Sequence, residues 1–139
     1  MRVVVVDASA LVALGNKKDD QHKRAAGFWK NVADEDALLV VSDYVLDETY
    51  TLLMARGLSL ETIDRFHDLI ESTIEHGAMR LFMMNKKLFD GAWLWFRKFF
   101  EHGASFTDCV VYEIGRDVKA DCIFTFDDHF NKIGCTVKP

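Results

Sequence analysis

The stretch VVVVDASALVAL, residues 3–14, decides the fold. Four consecutive valines form a short, wholly apolar, β-branched run, the pattern of a strand buried on both faces of a parallel sheet. The run stops on Asp7, and Ala8 to Leu14 can follow as a short helix ended by Gly15-Asn16. Working outward, the same strand-then-helix order recurs. Leu38 to Val41 reads as a second buried strand, and Ser42-Asp43 is a natural N-cap for a helix running to about Arg56 and ended by Gly57. Between these units, Asp20 to Val32 has helical spacing, and Asp34-Glu35-Asp36 closes it. Ser59 caps a helix whose Ile63, Phe66, Ile70 and Ile74 follow a 3.6-residue period as far as Gly77. A third strand is expected over 78–84, an aromatic-rich helix over 85–102, a helix over 105–119 and a fourth strand over 121–126. A turn or short helix over 127–131 and a last short strand over 135–137 complete the chain. Alternating strands and helices predict one three-layer α/β/α domain, residues 1–139, around a central, mainly parallel twisted sheet.

Composition narrows the function classes. With 17 Lys+Arg against 22 Asp+Glu, the formal charge of −5 excludes a polybasic sheath for nucleic acid. It leaves room for an enzyme that gathers carboxylates around metal. No apolar run approaches the ~20 residues of a membrane span. Met1-Arg2 leads straight into the valines without the pattern of a secretory signal, so a cytoplasmic protein without membrane contact is expected. Cys109, Cys122 and Cys135 show no C-x-x-C spacing and are read as buried, reduced thiols. His22, His67, His76, His102 and His129 form no H-x-x-x-H pair, so imidazole ligation of a transition metal is not expected.

Ligands of open parallel sheets collect beyond the carboxyl ends of the strands. Asp7 follows strand one, Glu48 lies in the first two turns after strand two, Asp108 opens the helix before strand four, and Asp127 follows strand four. Each acid also has an ordinary reading. Asp7 suits a turn or N-cap, Ser105-x-x-Asp108 resembles a capping box, and Asp127-Asp128 suits a polar turn. Glu48 is harder to explain that way. Asp43, Asp47 and Thr51 form a solvated stripe, whereas Glu48 lies with Val45, Thr49 and Leu52 on the side facing the protein. No Lys or Arg occupies positions 41 to 55, so a metal ion is the better partner for Glu48 than a local salt bridge. An all-oxygen set favours Mg²⁺ or Mn²⁺, one ion or two, and phosphodiester chemistry by metal-activated water. Ser9, Thr107 and Thr125 are neighbouring hydroxyls that could orient the carboxylates, or equally act as caps and turn residues.

VVVVDASALVAL, SDYVLDETYTLL and SFTDCVVYEIGRDVKADCIFTFDDHF together resemble the PIN-domain family, and most closely its VapC-type toxin ribonucleases. The resemblance spans the chain and is most specific in the last stretch. It implies a Mg²⁺- or Mn²⁺-dependent endoribonuclease that leaves 5′-phosphate and 3′-hydroxyl ends. Asp7, Glu48, Asp108 and Asp127 match the family's catalytic and metal-binding acids, and Ser9 and Thr125 its supporting hydroxyls. Homodimerisation is also implied, as is inhibition by a small antitoxin whose C-terminal segment enters the groove, often with an arginine near the carboxylates. Asp128 has no assigned role, and residues 56–100 carry no transferable positions.

RNA phosphates need cations near such a site. Lys17, Lys18, Lys23 and Arg24 have the best claim, because the loop after the first helix should rim the edge that holds Asp7. His22, Arg56, Lys86, Lys87, Arg97 and Lys98 follow. Phe89, Trp93, Trp95, Phe96, Phe99 and Phe100 crowd one helix, and either a dimer contact or a second internal packing surface accounts for them. Two rivals remain. One is a stand-alone nuclease of RNA processing with the same fold. The other is a phosphorylation-switched, receiver-like signalling domain, a poor match because Met83-Met84-Asn85 follows the third strand where an acid is needed and the fourth ends in Asp127-Asp128.

Overall fold

The computed structural model describes residues 1–132 and 136–139. Five strands form one sheet: β1 (Val3–Val6), β2 (Leu38–Ser42), β3 (Met79–Phe82), β4 (Cys122–Phe124) and β5 (Val137–Lys138). The helices are α1 (Ala8–Gly15), α2 (His22–Asp34), α3 (Asp43–Ala55), α4 (Leu60–Glu75), α5 (Lys86–Lys98), α6 (Phe106–Asp117) and the single turn α7 (His129–Lys132). All strand pairs are parallel, in the order β3-β2-β1-β4-β5, and helices cover both faces in the expected α/β/α layering. This order differs from the 2-1-3-4-5 order of receiver-type sheets, which removes the signalling reading on topology.

The valine run earns its central place. Val4, Val5 and Val6 are buried with Val40, Val41 and Phe124, as a strand flanked on both sides and covered on both faces requires. Because β2 and β3 extend from one side of β1 while β4 and β5 extend from the other, the strand order reverses between β1 and β4. Crevices open at the carboxyl end of such a switch point. Val6 pairs with Phe124, so the next residues, Asp7 and Thr125, emerge side by side there, and the Asp7 amide donates to the Phe124 carbonyl at 3.0 Å.

Several boundaries differ from the sequence reading. Helix α2 starts at His22 rather than Asp20, because Asn16 and Asp19 turn the chain by accepting from the amides of Lys18 and Gln21. The aromatic helix breaks at Phe99 and continues as a 3₁₀ turn, Phe100–His102, ended by Gly103. Strand β5 is Val137–Lys138, and Cys135 lies outside the described residues. Cys109 and Cys122 are buried free thiols. Asp43 is not a solvated stripe residue. Its carboxylate accepts the amides of Tyr44 and Met84, tying the start of α3 to the end of β3.

The aromatics of α5 serve two purposes. Trp95, Phe96 and Phe99 pack inward toward Phe106 and Tyr112 of α6, while Phe89, Trp93, Leu94 and Phe100 stay exposed. The two helices approach closely at Gly91, where an added Cβ would lie 2.7 Å from Cδ of Glu113. No helix among the described residues is long and apolar enough to cross a membrane.

Candidate active site

The four acids named from sequence line one cleft of about 270 Å³ at the switch point. Asp7 arrives directly from β1, Glu48 from the second turn of α3, Asp108 from the first turn of α6 and Asp127 from the loop after β4. Helix α6 runs back against the strands, so its N-terminus faces the same edge as their carboxyl ends.

Asp7 is 3% exposed, and although it precedes α1 its side chain makes no capping hydrogen bond. Its Oδ2 instead accepts from the Thr125 hydroxyl at 2.8 Å and from the Ser9 hydroxyl at 3.1 Å. The two hydroxyl oxygens lie 3.0 Å apart. Each also accepts a backbone amide, Phe126 to Ser9 and Asp127 to Thr125. This network splices the β1–α1 turn to the end of β4, so the two segments hold their carboxylates in fixed register. Thr107 is not part of the cleft lining.

Asp108 does what both of its sequence readings required. Its Oδ2 accepts the Ser105 amide at 2.9 Å, closing a capping box on α6, while the same side chain lines the cleft. Asp127 accepts the amide of His129 in a tight turn at 2.9 Å, and buried Phe130 anchors that turn to the core. Glu48 is half-buried, while Asp47 beside it faces solvent, as the helical register predicted. Asp128 is exposed and lies outside the cleft.

Burial is the main cause that pushes Asp7 up to about 6, against the pull of the Thr125 and Ser9 hydroxyls and with repulsion from Asp108 added. Burial likewise raises Glu48, with the charges of Asp7, Asp108 and Asp127 contributing, and raises Asp108, with Asp127 contributing. Among the described residues no Lys or Arg pairs with any of the four. Oxygen donors that repel one another, with no Lys or Arg to offset their charge, fit a hard divalent cation.

The structure adds residues that sequence reasoning missed. Nδ1 of His129 lies 3.2 Å from Oδ2 of Asp108 and 3.0 Å from Oδ1 of Asp127, so these three side chains can share one ion. A search for paired histidines overlooks it, because its partners are carboxylates. The Asp-x-His spacing of the turn was the available signal. Asp19 and Phe126 also line the cleft, as does Arg56, one of the cations named from sequence. Arg24 lies over the Phe126 ring, 5.3 Å from its centroid, which brings one of the four favoured cations to the rim. Lys17 and Lys18 line an adjoining cleft, whereas Lys23 lines neither.

The family model described as "PIN domain" matches residues 4–134. No curated protein matches the sequence. VapC20 of Mycobacterium tuberculosis, described as a sarcin-ricin loop cleaving toxin, is similar in structure at a TM-score of 0.82 and 28% identity, over 98% of this chain and 99% of that one. FitAcB of Neisseria gonorrhoeae shares the fold at a TM-score of 0.66 and 15% identity, over 98% of this chain and 96% of that one. The chain therefore belongs to the PIN-domain family and has the fold of a VapC-type nuclease.

Proposed function

We propose that the chain is a Mg²⁺- or Mn²⁺-dependent endoribonuclease and the toxin of a toxin–antitoxin pair. The observation that carries this reading is the convergence of Asp7, Glu48, Asp108 and Asp127 in one cleft without a Lys or Arg counter-ion among the described residues. Asp7, Glu48, Asp108 and Asp127 would hold one or two ions, with His129 adjoining the last two. Such ions supply a water that ionises near neutral pH and offset charge on the phosphate and the departing 3′-oxygen. The protein's own task is to aim the carboxylates, whose ionisation burial and mutual repulsion disfavour until a cation offsets them. Ser9 and Thr125 hydrogen-bond Asp7, the capping box fixes Asp108, and the α7 turn fixes Asp127. Glu48 makes no side-chain hydrogen bond among the described residues and is half-exposed, so of the four its carboxylate is the one free to turn toward an ion.

Lys17, Lys18, Lys23 and Arg24 are the proposed RNA contacts from the α1–α2 region. The exposed Phe89, Trp93 and Leu94 of α5, with Phe100 of the following 3₁₀ turn, are the proposed homodimer surface, and a small antitoxin is the proposed partner at the groove. The protein acts in the cytoplasm as a single PIN unit. The test is cleavage of a sarcin–ricin loop hairpin and of total RNA with Mn²⁺ or Mg²⁺, with new 5′ ends mapped. EDTA should abolish cleavage, and Asp7→Asn should lower it by about a thousandfold. Activity that survives both treatments overturns the reading. Growth arrest on induced expression, relieved by the product of a small upstream open reading frame, separates a toxin from a stand-alone RNA-processing nuclease.

A further inference from the structure

A second cleft, of about 590 Å³, adjoins the carboxylates, and Arg56 lines both. The helical register explains this shared wall. Glu48, Leu52 and Arg56 recur at i, i+4 and i+8 along one face of α3, which sets the acid and the cation roughly 12 Å apart along the axis. Gly57 then adopts φ +84°, a left-handed conformation that ends the helix and lets α4 fold back. The return brings Arg65 to the same cleft. From the opposite side the α1–α2 connection contributes Lys17 and Lys18, over a floor that includes Leu58 and Phe66.

These cations are available to an anion. Arg56 uses Nη1 to hold Asp19 at 3.0 Å, which orients the guanidinium and leaves its other N–H donors for a ligand. Arg65 lies 3.5 Å from Glu61, an exposed pair of little strength. Lys17 and Lys18 are exposed and form no ion pair among the described residues. In a protein of net charge −5, four cations facing one open cleft are a marked local reversal of sign.

We infer that this cleft is the phosphate track of the substrate. An RNA strand with its scissile phosphate at the carboxylates passes Arg56 first and continues along Lys17, Lys18 and Arg65. The inference rests on the reading of the protein as a ribonuclease. A repeating backbone charge suits a row of cations open to solvent along one side, and the shared Arg56 wall gives the strand a continuous path from the reacting centre.

The experiment measures fluorescence anisotropy of labelled RNA on Asp7→Asn protein, which binds without turnover, across a salt series. Arg56→Gln should weaken binding by about tenfold and lower the salt slope by about one. The pair Lys17→Gln/Lys18→Gln, which breaks no ion pair, should lower the slope by about two. Lys30→Gln, on the exposed side of α2 away from both clefts, should change nothing. Unaltered affinity and slope in both Arg56→Gln and Lys17→Gln/Lys18→Gln would overturn the inference, as would an equal loss in Lys30→Gln. It also fails if an acidic peptide occupies the cleft while RNA binding stays untouched by these substitutions. Failure of the wild-type protein to cleave RNA bears on the nuclease reading alone, because the binding series still reports on the cleft.

Discussion

The two adjoining clefts are built in opposite ways. The acidic one is made of short carboxylates gathered at the carboxyl end of the sheet, where hydroxyls, amides or a cap fix Asp7, Asp108 and Asp127, with Glu48 reaching in from α3. The basic one is made of long, exposed side chains on helix ends and a connecting loop. Binding an ion demands carboxylates held in fixed positions, and in the metal-free protein their proximity is destabilising. Following a flexible polymer demands reach, and exposed cations carry little desolvation penalty. Arg56, tethered by Asp19, stands between these regimes.

The largest effect that would break the contrast concerns Asp7. With its folded pKa at about 6 and an unfolded value of ~3.9, the native state binds more protons between those limits. The contribution of Asp7 to metal-free stability should therefore be fully present below pH ~4 and be lost as pH rises through about 6. Asp7→Asn should remove that share of the pH dependence and stabilise the metal-free protein at pH 7.5 by up to ~3 kcal/mol, while losing most of the stabilisation that Mg²⁺ or Mn²⁺ gives the wild type. Thermal melts with EDTA and with metal, across pH, check this. A metal-free wild type that gains stability between pH 4 and 6 contradicts it, provided Asp7→Asn shows no such gain. Thr125→Val comes next. Losing its hydroxyl removes a donor to Asp7 and an acceptor for the Asp127 amide, so ion affinity measured by calorimetry should drop about tenfold. The smallest effect lies away from both clefts. Gly91→Ala must displace Glu113, which accepts from the Trp95 indole, and should cost about 1 kcal/mol in denaturant melts with ion binding unchanged.

The buried half of the molecule was more legible from sequence than the exposed half. Val3–Val6 announces a central strand because β-branched apolar residues without alternation suit little else, and an acid ending such a run stands out. Glu48 was separable from Asp47 because helical register alone assigns them to different sides. What sequence pattern could not supply was partnership across segments. His129 had a local signal in Asp127 two residues before it, but it also meets Asp108, 21 residues away in the chain, and no local spacing encodes that contact. Arg56 carried a usable signal in its i+8 relation to Glu48, but the fold was needed to show a cleft on that face. The aromatic helix posed a choice between internal and external packing that only the position of α6 could divide, residue by residue.

The capping box of α6 carries a consequence for cooperativity. Asp108 Oδ2 terminates the helix by accepting the Ser105 amide, and the same carboxylate faces the cleft. An ion drawn to Asp108 therefore competes for, or reinforces, the group that holds the first turn of α6. That helix packs on β1 beneath and on α5 beside it, the helix that carries the exposed aromatic face. The helix that supports the exposed aromatics is thus capped from inside the cleft, by a carboxylate that the centre and the helix end share.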